Sequence, residues 1–153
     1  MRPLTIPNFD DRIVQEGIRL ILNSIYEPTF EKNSCNFGFR EHLGTHDAVD
    51  FILNNGRGMT YAIEGDIEKA YDTINFNKLL QILNRKIKNK KFLNLIEQGL
   101  NAGIIFNDIY ENTTLGIPQE SSGIASPILF NIYEFDNYII SHLKDLENQI
   151  KRK

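Results

Sequence analysis

Apolar positions along the chain fall into runs of two spacings, and the runs divide it into elements. Ile13, Val14, Ile18, Leu20, Ile21, Leu22 and Ile25 recur at helical spacing just after Asp10 and Asp11. They predict a first helix that Pro28 should end, because proline lacks an N–H and clashes with the turn before it. The acidic pair suits a helix start, where carboxylates offset unpaired N–H groups and the positive dipole end. Residues 30–44, with their Asn, Gly and Ser, read as a loop. Thr45 to Leu53 reads as a second helix, with Ala48, Val49 and Ile52 on one side, and Asn54 to Gly58 as a turn. Met59 to Asp66 is apolar and β-prone, and is expected to be a buried strand.

Phe76, Leu79, Leu80 and Leu83 share one face of a helix expected over Asn75 to Asn84. Leu93, Leu95, Ile96 and Leu100 do the same for Phe92 to Ala102, with Gly103 as the stop. Ile104 to Phe106 and Thr113 to Ile117 read as two short strands joined through residues 107–112. A long last helix, capped by Ser121 or Ser122, should run through Ile124, Ile128, Leu129, Ile132, Phe135, Ile139 and Leu143. Pro127 is tolerable in its first turns. The pattern as a whole is α/β, in one unit without repeats or linkers.

Composition narrows the class. The 153 residues are enough for one core, and no apolar run approaches the ~20 residues a membrane helix needs. The amino end shows neither a secretory apolar core nor an Arg/Ser-rich import pattern. The single cysteine, Cys35, excludes an internal disulfide framework and a multi-cysteine zinc site. His42, His46 and His142 have no shared metal-binding spacing. Asn and Ile are abundant and Trp is absent, as AT-rich coding gives. That favours a protein made inside a mitochondrion over one of a plastid or a bacterial cytoplasm. Charge points the other way from nucleic acid: 17 Lys and Arg face 20 Asp and Glu. Basic residues still cluster, from Arg85 to Lys91 and again from Lys151 to Lys153, in runs that suit a solvated helix face or a phosphate contact.

The chemistry concentrates between Tyr61 and Asn75. A β-prone segment delivers Asp66 at its end, with Ile67 beside it and Tyr71 five residues later. A carboxylate and a neighbouring backbone carbonyl suit a hard cation such as Mg²⁺. The alternative is an Asp that caps the following turn. Two further runs bear on the choice: Gly116 to Gln119 followed by Ser126 to Tyr133, and Arg2 to Pro7 at the amino end.

In that order the three runs resemble the reverse transcriptase encoded by group II introns, also called the intron maturase. The likeness includes Asp11 to Glu16, Ile25 to Phe30 and Phe37 to Arg40, and covers nearly the whole chain. It implies fingers over about residues 1–58. A partial palm with inserted helices and a hairpin would follow over about 59–153, with an incomplete palm sheet. It further implies RNA-directed DNA synthesis with Mg²⁺ and deoxynucleoside triphosphates on an RNA/DNA template-primer, with intron RNA as partner and no membrane. By resemblance Asp66 is the first catalytic carboxylate and Ile67 lends its carbonyl to the metal. Tyr71 lies beneath the incoming sugar, Pro118 and Gln119 cover the nucleotide pocket, and Arg2 and Arg40 reach phosphate. For Arg12 an ion pair with Glu16, one turn on, is the competing assignment.

Two departures from the family stand out. The hairpin bearing Tyr-x-Asp-Asp, which supplies the remaining carboxylate, has no counterpart after Tyr133. The family also continues Pro-Gln-Gly, three residues, then Ser-Pro, whereas Glu120 to Ala125 here separate Gln119 from Ser126. The expectation is a fragment inactive alone, whose missing parts act in trans if they exist. The alternatives are an RNA-binding splicing cofactor that polymerises nothing, and a remnant without function.

Overall fold

A computed structural model describes residues 6–32, 36–61, 64–106, 109–111, 116–117 and 124–136. Within them lie five helices: α1 (Phe9–Lys32), α2 (Thr45–Asn55), α3 (Phe76–Lys86), α4 (Lys90–Leu100) and α5 (Ser126–Glu134). Between α4 and α5 comes a two-stranded antiparallel hairpin, β1 (Ile104–Phe106) and β2 (Ile109–Glu111), with Ile105 opposite Tyr110.

α1 is longer than its pattern suggests, because Pro28 lies inside it. Ile18, Leu22, Tyr26 and Phe30 form a buried stripe at four-residue spacing that continues past the proline. Pro28 itself is exposed, so its lost hydrogen bond falls on the solvent side while Tyr26 and Phe30 hold the helix from the core. Only part of the expected apolar stripe is covered. Ile13, Val14, Leu20 and Ile21 remain exposed.

α3 and α4 begin where asparagines cap them. Asn75 Oδ1 accepts from Lys78 N–H at 3.0 Å, and Asn89 Oδ1 accepts from Lys91 and Phe92 N–H at 3.0 and 3.2 Å. Phe76, Leu79, Ile82 and Leu83 of α3 meet Ile96 and Leu100 of α4, with Ile87 buried at the corner between them. α5 closes the core with Ile128, Leu129 and Ile132, and with Phe135 at its C-cap, against α1 on one side and α3 on the other. Phe135 meets Phe30 edge-on at 5.5 Å, and Arg85 of α3 holds both carboxylate oxygens of Asp136 at 2.8 and 2.9 Å. The Lys86 ammonium lies 4.6 Å from the Tyr26 ring and also reaches the Thr29 hydroxyl.

Three expectations need correction. Met59 to Asp66 is neither buried nor a strand among its described residues: Met59 and Tyr61 are 71% and 87% exposed. No described segment runs beside it, and an unpaired apolar run does not make a strand. The strand that pairs with Ile104–Phe106 is Ile109–Glu111; of the expected strand Thr113 to Ile117, Gly116 and Ile117 are not in a strand and residues 113–115 lie outside the described residues. The last helix starts at Ser126 with Ala125 at its cap position and Pro127 in the first turn, whereas Ser121, Ser122, Ile139 and Leu143 lie outside the described residues. The described architecture is therefore mostly helical, with no palm sheet among the described residues. α2 buries no residue, although Phe51 meets Phe37 of the preceding loop at 5.3 Å.

Candidate nucleotide-facing site

Asp66 lies exposed on the approach to a tight turn, and its Oδ1 accepts the Ile67 N–H at 3.0 Å. The turn is closed by Asp72 and Thr73 N–H donating to the Lys69 carbonyl at 2.9 and 3.1 Å. Lys69 takes a left-handed backbone conformation, φ 51°, to make it. Tyr71 comes out of the turn half-buried, with its ring flat on Phe130 of α5. Burial pushes the Tyr71 phenol above its ordinary pKa. Ile74, fully buried, then anchors the start of α3.

A second strip of backbone lies along this turn. Gly116 N–H donates to the Ile74 carbonyl at 3.0 Å and Ile117 N–H to the Tyr71 carbonyl at 2.9 Å. Gly116 has φ 85°, and a Cβ there would stand 2.9 Å from both Cα and O of Asp72. Only glycine permits that approach without displacing the turn. α5 completes the junction. Tyr133 Oη accepts from Asn75 N–H at 3.4 Å, and the Lys78 ammonium lies 5.8 Å from the Tyr133 ring.

Asp66, Ile67 and Tyr71 thus lie on one short segment, and the backbone that leads into Pro118 and Gln119 is bonded to it. Pro118, Gln119, Glu120 and Arg2 lie outside the described residues. Arg40 is placed differently from the phosphate contact that the resemblance implies. Its side chain is 6% exposed, with Nε and Nη2 on Glu27 Oε1 at 2.9 and 2.6 Å and Nη1 on the Asn36 carbonyl at 2.8 Å. Those bonds engage all three guanidinium nitrogens, using three of its five N–H donors, and clamp the loop onto α1. Asn131, also buried, donates to the Gly38 carbonyl at 2.7 Å and holds the same loop to α5. Glu16 pairs with Arg19 rather than Arg12, and Arg19 bridges on to Glu41 at 3.1 Å. The hydrogen bond from Arg19 holds the Glu16 carboxyl below its ordinary pKa.

Phe130, Gly116 and Asn131 lie within runs that the sequence singles out, but it assigns none of the three a role. Phe130 and Tyr133 stand three residues apart, beside the Ile128, Leu129 and Ile132 stripe, and this aromatic pair on a flank was the available signal. Among the described residues no group of three or more His, Cys, Asp or Glu side chains could enclose a metal.

Comparison with known proteins adds the family. Residues 1–148 match the family described as reverse transcriptase (RNA-dependent DNA polymerase). The chain is 43% identical over 157 residues to an uncharacterized 91 kDa protein in the cob intron of Schizosaccharomyces pombe, covering 99% of this chain and 19% of that protein. It is 39% identical over 169 residues to the group II intron-encoded protein LtrA of Lactococcus lactis, covering 99% of this chain and 28% of LtrA. Against the putative COX1/OXI3 intron 2 protein of Saccharomyces cerevisiae the identity is 40% over 141 residues, or 90% of this chain and 16% of the relative. The chain therefore spans less than a third of the length of each of these relatives.

Proposed function

Because the chain belongs to the reverse transcriptase (RNA-dependent DNA polymerase) family, we propose that the Asp66 turn is the nucleotide-facing part of a template-directed DNA polymerase site. The observation that carries this reading is the pair of backbone bonds from Gly116 and Ile117 to Ile74 and Tyr71. They join the two sequence blocks that a nucleotide pocket needs, although over forty residues separate the blocks in the chain.

Asp66 fits one part of a divalent-cation site. It is exposed, and its described hydrogen bond engages Oδ1 alone. Mg²⁺ needs only one or two carboxylates when water and substrate phosphates supply the rest. Asp66 and the Ile67 carbonyl would hold the ion, which would offset charge on the triphosphate. Tyr71, kept in place by Phe130, would lie beneath the incoming sugar and exclude a 2′-hydroxyl by its volume. Pro118 and Gln119 would cover the nucleotide, and Arg2 would meet its phosphates. Fingers over about residues 1–58 and a partial palm over about 59–153 follow from this reading, with deoxynucleoside triphosphates, template-primer and intron RNA as partners. Mitochondrial synthesis suits the Asn- and Ile-rich composition.

The sequence has no Tyr-x-Asp-Asp run to supply the family's remaining carboxylate, so the 153-residue chain alone should not extend a primer. The decisive experiment fuses the remaining palm and thumb of a group II intron relative after Tyr133. Extension of a primed RNA template that Asp66→Asn abolishes, and ribonucleotide incorporation that Tyr71→Ala raises, are the expected results. Extension indifferent to Asp66→Asn would overturn the assignment.

A further inference from the structure

Charge is segregated in this chain, and the segregation coincides with one structural unit. From Thr73 to Ile96 there is no Asp or Glu, while Lys78, Arg85, Lys86, Lys88, Lys90 and Lys91 all fall there. With 17 basic and 20 acidic residues in the whole chain, 11 against 20 remain elsewhere. These 24 positions are α3, its corner and most of α4. All six basic residues are exposed, and their exposed neighbours Asn77, Gln81, Asn84 and Asn94 are neutral amides.

The corner shows why the basic groups gather there. Ile87 is the buried pivot, so Lys86, Lys88, Lys90 and Lys91 fan outward around it. Arg85 is taken up by Asp136, Lys86 lies against Tyr26, and Lys88 Nζ caps the Asn84 carbonyl at 2.6 Å. Lys90 and Lys91 have no ion pair among the described residues, and they stand in the first turn of α4, where the helix dipole disfavours a cation. Burial, with a smaller contribution from Lys32 of α1, holds the Lys86 ammonium below its ordinary pKa. A polyanion laid on this face relieves these repulsions together.

We propose that the α3–α4 hairpin grips the phosphate backbone of double-helical RNA around its lysine-rich corner, with Lys88, Lys90 and Lys91 as the leading contacts. Lysines and amides are the side chains that meet phosphate and sugar oxygens. Protein interfaces are depleted in Lys and organised around aromatic or Arg anchors, and no aromatic residue of α3 or α4 is exposed here. Single-strand binding relies on exposed aromatic rings for base stacking, so the same observation selects a duplex over a single strand. The corner stands about 16 Å along α3 from the Tyr71 turn, at 1.5 Å per residue over eleven residues. It is therefore a second surface, although RNA as the partner rests on the reverse-transcriptase reading.

The test is fluorescence anisotropy of the full chain with an RNA duplex of about 16–20 base pairs, titrated between about 50 and 200 mM salt. EDTA is included so that no metal site contributes. Lys88→Gln/Lys90→Gln/Lys91→Gln should weaken binding about tenfold or more and lower the salt slope by about one unit per lost phosphate contact. Replacement of the same three by Arg should retain both, and an unchanged thermal melt separates lost contact from lost fold. Equal loss on neutralising Lys151, Arg152 and Lys153 would overturn the proposal. So would equal affinity for the single strand, or tight capture of polyglutamate. Duplex binding that follows the hairpin while the chimera fails to extend sinks the polymerase site alone.

Discussion

The ring of Tyr71 lies on the ring of Phe130, centroids 4.7 Å apart and planes inclined by 16°. This contact joins a turn that carries the chain's candidate metal ligand to a helix whose other face is core. Offset stacking of this kind adds about 0.5–1.5 kcal/mol beyond area burial. The position of Tyr71 is therefore set by α5 as much as by its own turn.

Phe130→Ala should cost about 2 kcal/mol in urea-induced unfolding, somewhat below the full value for a buried Phe because the ring is only partly covered. Phe130→Leu should recover about half. Equal stability of the Ala variant and the parent would show that the stack contributes nothing.

Two glycines should respond in opposite directions to one added methyl. Gly116→Ala places Cβ 2.9 Å from the Asp72 backbone at a positive φ, and should destabilise by about 2 kcal/mol or more. Gly17 lies within α1 with nothing within 4 Å of its Cβ direction. Gly17→Ala should stabilise by about 0.5–1 kcal/mol. Denaturant midpoints of the two variants, compared in one buffer, decide the matter.

The Tyr26 phenol gives an alkaline signature. Burial, with a smaller contribution from Asp136, pushes it up to about 12, and its hydroxyl has no described hydrogen-bond partner. The folded state then keeps this proton where the unfolded chain has lost it, so stability falls as pH rises from about 10 to about 12. Tyr26→Phe should flatten that fall while leaving stability at neutral pH within about 1 kcal/mol. Parallel pH–stability curves for the two proteins would contradict this.

A double-mutant cycle should separate the clamp from a phosphate contact at Arg40. Arg40→Met and Glu27→Gln, singly and together, should show a coupling of about 1.5–3 kcal/mol, as for a hydrogen bond between charged groups. Coupling near zero would free Arg40 for a ligand.

In the fused polymerase, replacing Glu120, Ser121 and Ser122 by a single Gly should raise extension by an order of magnitude or more. The change removes a carboxylate from a triphosphate pocket and restores backbone freedom. Full activity of the unaltered fusion would show that the longer segment is tolerated.

Helical periodicity was legible where one stripe of residues decides burial. α2, α3 and α4 begin and end within two residues of their patterns, and Asn75 is the cap that its type suggests. Pro28 misled because the local rule for proline was outweighed by Tyr26 and Phe30, whose burial depends on α5 over a hundred positions away. The apolar run before Asp66 misled for the opposite reason: a strand is a property of two segments, and a sequence window shows one. In the candidate site, Asp66, Ile67 and Tyr71 were recognised as a block. The groups that hold it in place come from Gly116 and Phe130, and backbone bonds and ring stacks across such distances leave no local pattern. Arg40 was legible as a special arginine, but its partner Glu27 was not.

Asn131 reaches back 93 positions to the Gly38 carbonyl, and Phe135 reaches further, to Phe30. On a ribosome, α1 therefore emerges long before the helix that covers it. At roughly 5–20 residues per second, the hundred residues between Lys32 and Phe135 take about 5–20 s to synthesise. Throughout that interval Leu22 and Phe30 await their cover, as substrates for a chaperone rather than parts of a core.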